Sequence, residues 1–359
     1  MKSDRPALLD MTLPELQALL AGWGEKPFRA RQLYEQLYTH LQTDPAAMTN
    51  FSVALRQRLA AETDIQTLEL VEQHSGDGGK TRKALFTISN AIPVEAVLMI
   101  YADRSTVCVS TQSGCAMNCS FCATGKIGFR LNLTAGQMIE QVLWAAREVR
   151  ELGAGSRALS NVVFMGMGEP FNNYDHWWAA VERLHDPQGF NMGARSFTVS
   201  TVGLVPGIRR LADELLPINL AISLHAADDE LRNKLVPVNR KHPIAHLVEA
   251  VRDYTDKTHR RVSFEYVLLK DVNDSVAQAE SLARLCRGET DRKGPLLCHV
   301  NLIPWNPVPG APLSPSDRKR VLDFQRVLEN RRVPCTVRVQ RGVDIAAACG
   351  QLAGGSLKD

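Results

Sequence analysis

Two hydrophobic periods run along this chain, and the place where one gives way to the other divides it. Over residues 1–65 apolar positions recur at helical spacing. Thr12-Leu-Pro-Glu15 reads as a helix start, because Thr caps free backbone amides, Pro suits the first turn and Glu lies three residues after the cap. Leu16, Leu19 and Leu20 follow on one face. After Gly24, the residues Ala30, Leu33, Tyr34, Leu37, Tyr38 and Leu41 mark a second helix, and Val53, Leu55 and Leu59 a third. A small N-terminal helical domain is expected, with its aromatic stripe packed in the core. From 66 to 104 the pattern shortens to extended runs at 66–73, 83–88 and 95–100, punctuated by Gly76-Asp-Gly-Gly79 and Asp103-Arg104. Antiparallel strands are expected here, a β-hairpin extension leading into the core.

Residues 105–352 then alternate strand and helix six times: 106–110 with 134–151, 161–165 with 175–185, 196–200 with 205–215, 218–224 with 243–257, 262–269 with 275–287, and 298–303 with 316–331. This alternation predicts an α/β fold with a parallel sheet, either open and doubly wound or an incomplete barrel. Residues 353–359 read as a loose tail.

Composition narrows the class. Hydrophobic residues make up 45% and charged residues 23% of the 359, which fits a globular protein and excludes disordered and fibrous readings. No apolar run approaches the ~18–20 residues that span a bilayer, and Asp4, Arg5 and Asp10 interrupt the N-terminus where a signal peptide needs its apolar stretch. A cytoplasmic protein with no membrane partner is expected, and nothing demands more than a monomer. The net charge of +3 is too small to imply a nucleic-acid partner from totals. Residues 317–341 nevertheless hold eight basic side chains against three acidic ones, a local hint of a polyanion.

Cysteines fall at 108, 115, 119, 122, 286, 298, 335 and 349. Secreted disulfide scaffolds are short and Cys-dense, so a long chain with three cysteines clustered together points to a reducing compartment and a metal–sulfur site. The cluster is Cys115-Ala-Met-Asn-Cys119-Ser-Phe-Cys122. A closed zinc site wants four ligands, and no fourth lies at local spacing. A four-iron cluster held by three thiolates leaves one iron open, and the amino and carboxylate groups of S-adenosylmethionine suit that vacancy. With Phe121 before the last cysteine, the segment resembles radical S-adenosylmethionine (radical SAM) enzymes.

Strand ends are where such folds place their ligands. Gly166-Met-Gly168-Glu169-Pro170 follows the second strand, Ser200 ends the third, Ser223-Leu224-His225 ends the fourth, and Asn301 lies on the sixth. Glycine allows close approach to a ligand, and Glu169 can accept from an ammonium group. Arg341-Gly-Val-Asp344 through Cys349-Gly350-Gln351 sets an open thiol on a small-residue segment, whereas Cys108 lies in a strand interior. Cys286, Cys298 and Cys335 read as structural.

Cys115 to Thr124 with Gly128-Phe129, Phe164 to Pro170, Ser223 to His225, Asn301 to Pro307 and Arg341 to Gln351 together resemble the RlmN family of radical SAM adenosine C2 methyltransferases, over nearly the whole chain. The resemblance implies an incomplete (βα)6 barrel, a 4Fe-4S cluster on Cys115, Cys119 and Cys122, and S-adenosylmethionine held by Gly168, Glu169, Ser200, Ser223, Leu224, His225 and Asn301. It implies that Cys349 accepts a methyl group and is then activated by a 5′-deoxyadenosyl radical. Cys108 would resolve the resulting protein–RNA adduct, leaving a Cys108–Cys349 disulfide, and Glu95 would accept the proton. The implied partners are 23S rRNA, tRNA and an electron donor such as a flavodoxin-type system, with Lys126 and Arg130 as phosphate contacts. Family members often read Gly-Phe-x-Arg-Asn-Leu-Thr, whereas Arg130 here directly follows Phe129. Three rival readings stand beside it: C8 methylation as in the relative Cfr, a radical enzyme with a small-molecule substrate, and a non-catalytic RNA-binding protein with structural zinc.

Overall fold

A computed structural model describes residues 5–88, 91–152, 158–308 and 310–353. Three helices open the chain: α1 (Leu13–Gly22), α2 (Phe28–Tyr38) and α3 (Val53–Glu62). The expected capping box is present, with Thr12 and Glu15 satisfying each other's backbone amides. The α2 stripe faces inward as expected, but Val53 is the first residue of α3 and is 59% exposed, so only Leu55 and Leu59 reach the core. These helices share one hydrophobic core with the rest of the molecule. Tyr34 Oη donates to Asp186 Oδ2 at 3.0 Å, and Gly136 N donates to Asp10 Oδ1 at 2.7 Å.

Strands β1 (Glu69–Gly76), β2 (Thr81–Ile88), β3 (Ile92–Ile100) and β4 (Ser105–Cys108) pair antiparallel in sequence order. The first runs three residues later than its pattern suggested, ending where Asp77, Gly78 and Gly79 all take positive φ and reverse the chain. After β4 the chain forms a small ribbon, β5 (Gln112–Gly114) against β6 (Phe129–Asn132), with the short helix α4 (Ala123–Lys126) between them. The strand expected over 106–110 stops at Cys108, because the chain then peels off toward this ribbon.

Helix and strand then alternate through α5 (Ala135–Glu151), β7 (Asn161–Phe164), α6 (Tyr174–His185), β8 (Phe197–Thr201), α7 (Val205–Leu211), β9 (Asn219–Ser223), α8 (Asp229–Leu235), α9 (Ile244–Thr258), β10 (Val262–Leu268), α10 (Val276–Cys286), β11 (Cys298–Pro304), α11 (Arg318–Asn330) and β12 (Cys335–Val337). The sheet order is β1-β2-β3-β4-β7-β8-β9-β10-β11-β12, parallel from β4 onward. The result is an incomplete barrel of six strand–helix units extended by an antiparallel meander. The ribbon β5–β6 with α4 escaped the sequence pattern, as did the seven-residue α8 and the three-residue β12, which adds a seventh parallel strand. All C-terminal strand ends from β4 to β12 open to one mouth.

Candidate active site

The cysteine loop leaves β5 through Gly114, whose φ of +72° suits glycine. A Cβ there would lie 1.8 Å from the Gly128 carbonyl oxygen, so no other residue fits. Cys115 N donates to that same carbonyl at 3.0 Å, and Cys122 N closes a turn on Cys119 O at 3.2 Å. Phe121 packs edge-on against the His225 ring with centroids 4.6 Å apart, and Trp305 Nε1 donates to Phe121 O at 3.0 Å. Cys115, Cys119 and Cys122 consequently line one cavity. Burial pushes the Cys115 thiol up to about 12 and Cys119 well above its ordinary value. Among the described residues no three such side chains are grouped around a single-ion site. A four-iron cluster spreads three thiolates over three irons and supplies the positive charge this buried pocket needs, so the donor set fits it.

The same cavity is walled by Gly166, Gly168, Glu169, Ser200, Ser223 and His225 from the ends of β7, β8 and β9. The two glycines answer first to the protein. A Cβ on Gly168, at φ +102°, would meet the Gln112 side chain at 2.6 Å, and one on Gly166 would meet Ser110 Oγ at 2.7 Å. Close approach of ligand was the sequence rationale; close approach of the β4–β5 backbone is the observed one.

Glu169 is buried and accepts from Phe171 N at 3.1 Å and Val202 N at 2.9 Å. Desolvation pushes its carboxyl up to about 7. Ser200 and Ser223 face each other with hydroxyl oxygens 3.5 Å apart. His225 has φ +59°, and its Nδ1 accepts from Val267 N at 3.0 Å. A backbone amide can only donate, so the ring proton is on Nε2, and burial beside Arg232 lowers the imidazole to about 3.

Two cofactor candidates stand off the cavity. The Leu224 side chain is buried in the core and its carbonyl accepts from Arg232 Nε at 2.9 Å. Asn301 donates to Glu265 Oε2 at 2.9 Å, and Glu265 rather than Asn301 forms the wall. Sequence reasoning passed over Glu265, a lone acidic residue in an apolar strand, which was the available signal. It also passed over Arg232. That guanidinium, with a residue exposure of 0%, ties the ends of β8 and β9 together through Val202 O at 2.7 Å, Ser223 O at 3.0 Å and Asn239 Oδ1 at 2.6 Å.

Cys349 lies on a strap, residues 338–353, that crosses the mouth. Asp77 Oδ2 accepts from Gly342 N at 2.8 Å, Ala123 N donates to Gly350 O at 2.8 Å, and Thr124 Oγ1 donates to Leu352 O at 2.6 Å. Asn306 Nδ2 donates to Cys349 O at 3.2 Å. The strap thus delivers Cys349 to the wall shared by the cluster cavity and a second one, which is lined by Cys108, Tyr101, Met165, Asn306 and Arg341. Burial pushes the Cys108 thiol up to about 12, with Cys349 adding to the shift. All eight cysteines are reduced in the structure.

Glu95 lines neither cavity. Its carboxylate, almost wholly buried, pairs with Lys83 Nζ at 3.0 Å and accepts from Ala353 N at 2.8 Å, at the end of the strap. Lys126 and Arg130 are exposed beside the cluster loop. Within the basic C-terminal stretch, Arg320 pairs with Asp271 and Asp274, Arg326 with Asp323, and Arg331 with Glu280 and Glu289. Much of that surplus is therefore internally balanced.

A parallel incomplete barrel that presents three cysteines on a loop at its C-terminal mouth is a radical SAM enzyme. A family model for the radical SAM superfamily matches residues 109–283, and one for the ribosomal RNA large subunit methyltransferase N-terminal domain matches 7–65. The chain is 61% identical to a probable dual-specificity RNA methyltransferase RlmN of Chloroflexus aurantiacus, covering 98% of this chain and 93% of that one. A protein of the same description from Roseiflexus sp. is 56% identical, over 97% and 96%. The crystal structure of a radical SAM methyltransferase from Sphaerobacter thermophilus superposes with a TM-score of 0.93 at 51% identity, covering 98% of this chain and all of that one. The chain belongs to the RlmN family, and as a radical SAM enzyme it works with a 4Fe-4S cluster and S-adenosylmethionine. No helix among the described residues is long and apolar enough to cross a membrane.

Proposed function

We propose that this protein is an RNA methyltransferase that methylates C2 of adenosine in 23S rRNA and tRNA, through a methylated Cys349 and a transient covalent protein–RNA adduct. The observation that carries this reading is the position of Cys349, on the wall shared by the cavity of Cys115, Cys119 and Cys122 and the cavity of Cys108. One thiol is thereby offered to a cofactor on one side and a substrate on the other. The family names of the relatives support RNA as that substrate.

C2 of adenine lies between two ring nitrogens and is too electron-poor to attack a sulfonium methyl, so a radical route is needed. The cluster and S-adenosylmethionine supply the electron, the methyl group and the radical. Cys115, Cys119 and Cys122 would hold the cluster, while Gly168, Glu169, Ser200, Ser223 and His225 would hold the cofactor, with Leu224 and Asn301 acting behind them. Cys349 would carry the methyl carbon to C2, and Cys108 would attack that adduct and leave a Cys108–Cys349 disulfide for reduction. Cys108, protonated at neutral pH, must lose its proton first, which suits a thiol that acts last. Glu95 would act as proton acceptor only after leaving Ala353 N and Lys83 and turning toward the Cys108 cavity, which it does not line. The protein would work as a cytoplasmic monomer supplied with electrons by a flavodoxin-type donor.

Mass spectrometry of the nucleoside formed under reducing, anaerobic conditions tests the reading. 2-Methyladenosine from the wild type and none from Cys349→Ala is the expected result. 8-Methyladenosine would move the activity to the Cfr type, and zinc in place of iron would overturn it.

A further inference from the structure

Arg338 follows β12 directly, and its backbone N–H extends the sheet ladder to Leu302 O at 2.8 Å. Its side chain lies on the wall common to both cavities, beside Cys349, Cys108 and Glu265. Two other arginines of low exposure are well bonded. Arg232 makes four hydrogen bonds, and Arg252 makes a two-pronged pair with Asp291. Arg338 differs: among the described residues no carboxylate oxygen lies within 4.0 Å of its guanidinium and no acceptor meets hydrogen-bond geometry with it.

An arginine keeps its charge at any neutral pH, and a half-buried guanidinium on a cavity wall with no anion beside it is a ready receptor for one. The neighbours do not serve. Cys108 is protonated at neutral pH, and the Glu265 carboxylate turns to Asn301. The fork is therefore charged, aimed at open space and without a protein acceptor.

We propose that Arg338 is the oxyanion receptor of the substrate cavity, and that it grips a phosphate flanking the adenosine placed between Cys349 and Cys108. Two oxyanions could reach it, an RNA phosphate or the carboxylate of S-adenosylmethionine, and the surroundings favour the phosphate. The cavity that holds Cys108 also carries Tyr101, Gln340 and the half-buried Arg341, with exposed Val339 at its rim, where a polymer backbone can pass. Arg341 and Arg104 both lie over the Tyr101 ring, at 5.2 and 4.3 Å from its centroid, so the rim is cationic and aromatic together, as nucleic-acid sites are. The amino-acid end of the cofactor would have Glu169, Ser200 and Ser223 as candidate partners in the cluster cavity. The inference rests on the RNA reading above and adds a specific contact to it.

The test uses cluster-loaded full-length protein and a short RNA hairpin containing the target adenosine, with either flanking phosphate replaced singly by an uncharged methylphosphonate. Wild type is expected to lose roughly 10- to 100-fold in affinity on one replacement, the range of a two-pronged charge-assisted contact. Arg338→Met should bind native RNA with that same loss and no longer sense the replacement. Arg338→Lys should fall between, keeping charge without the fork. Calorimetric affinity for S-adenosylmethionine should be unchanged in both variants. The ligand-free Met variant should melt no lower than wild type, because it removes an uncompensated cation. Native-like RNA binding by Arg338→Met, or an undiminished methylphosphonate effect in it, would overturn the proposal. A selective loss of cofactor affinity would overturn it in favour of the carboxylate. Wild-type protein that binds RNA and ignores both replacements would overturn the proposal alone, whereas wild-type protein that does not bind the RNA would overturn the functional reading with it.

Discussion

The Lys83–Glu95 pair is the point where stability and chemistry meet, and replacing Glu95 separates them. The two charges are 3.0 Å apart with side-chain exposures of 4% and 1%, and Glu95 also holds the strap through Ala353 N. Glu95→Ala leaves the Lys83 ammonium buried without its partner, a change that costs about 3–5 kcal/mol. At roughly 2.1 cal/mol/K of unfolding entropy per residue, that cost lowers Tm by roughly 4–7 °C for a chain of this size. Glu95→Gln keeps an acceptor for Ala353 N but loses the ion pair. Lys83→Met combined with Glu95→Ala removes both charges and should recover most of the loss. Scanning calorimetry of the four proteins measures this. Single-turnover methyl transfer, assayed below the lowest Tm, then reads the chemistry: a purely positioning Glu95 leaves Glu95→Gln active, whereas a proton acceptor does not. A Glu95→Ala protein as stable as wild type, or a double variant no better than the single one, would refute the reasoning.

Three further outcomes follow from the site. His225 is lowered to about 3 against an ordinary 6.5, so below pH 6.5 the unfolded chain binds a proton that the folded one refuses. Its contribution is full above pH 6.5 and is lost as pH falls toward 3, at about 1.4 kcal/mol per pH unit. Urea titrations between pH 5 and 7.5 should therefore show a shallower dependence in His225→Gln, and equal slopes would contradict the burial argument. Gly168→Ala must push a methyl group into Gln112 at positive φ and should cost on the order of 2 kcal/mol even without ligand; an unchanged Tm with weakened cofactor binding would restore the ligand-approach explanation. Cys119→Ala removes one of three thiols and should purify with iron and sulfide far below wild-type levels, while wild-type iron content would dismiss that cysteine as a ligand.

Much of this architecture was legible because long amphipathic periods survive tertiary context. The α2 stripe from Ala30 to Tyr38 falls where the pattern put it, and all six strand–helix alternations are present, although the first strand stops at Cys108 and the helix expected over 205–215 ends at Leu211. What escaped has a physical cause in each case. β12 is three residues long, too short for any period to show, and α8 spans barely two turns. The cysteine loop was readable from spacing alone. Arg232 and Glu265 were not, because a buried charge looks like a surface charge until its partners are known, and those partners are backbone carbonyls and an amide from other strands. Glu95 shows the reverse: a resemblance gave it a role, and the fold adds a structural one that no sequence pattern contains.

The measurement that bears most directly on the shared-wall position of Cys349 is trapping with Cys108→Ala. Anaerobic incubation with reductant, S-adenosylmethionine and substrate RNA should stall after carbon transfer, because the thiol that resolves the adduct is gone. A denaturant-resistant, nuclease-sensitive protein–RNA species should accumulate, with the RNA mapped to Cys349 by peptide mass spectrometry. Free methylated RNA released at the wild-type rate by Cys108→Ala, with no covalent species at Cys349, would contradict the account.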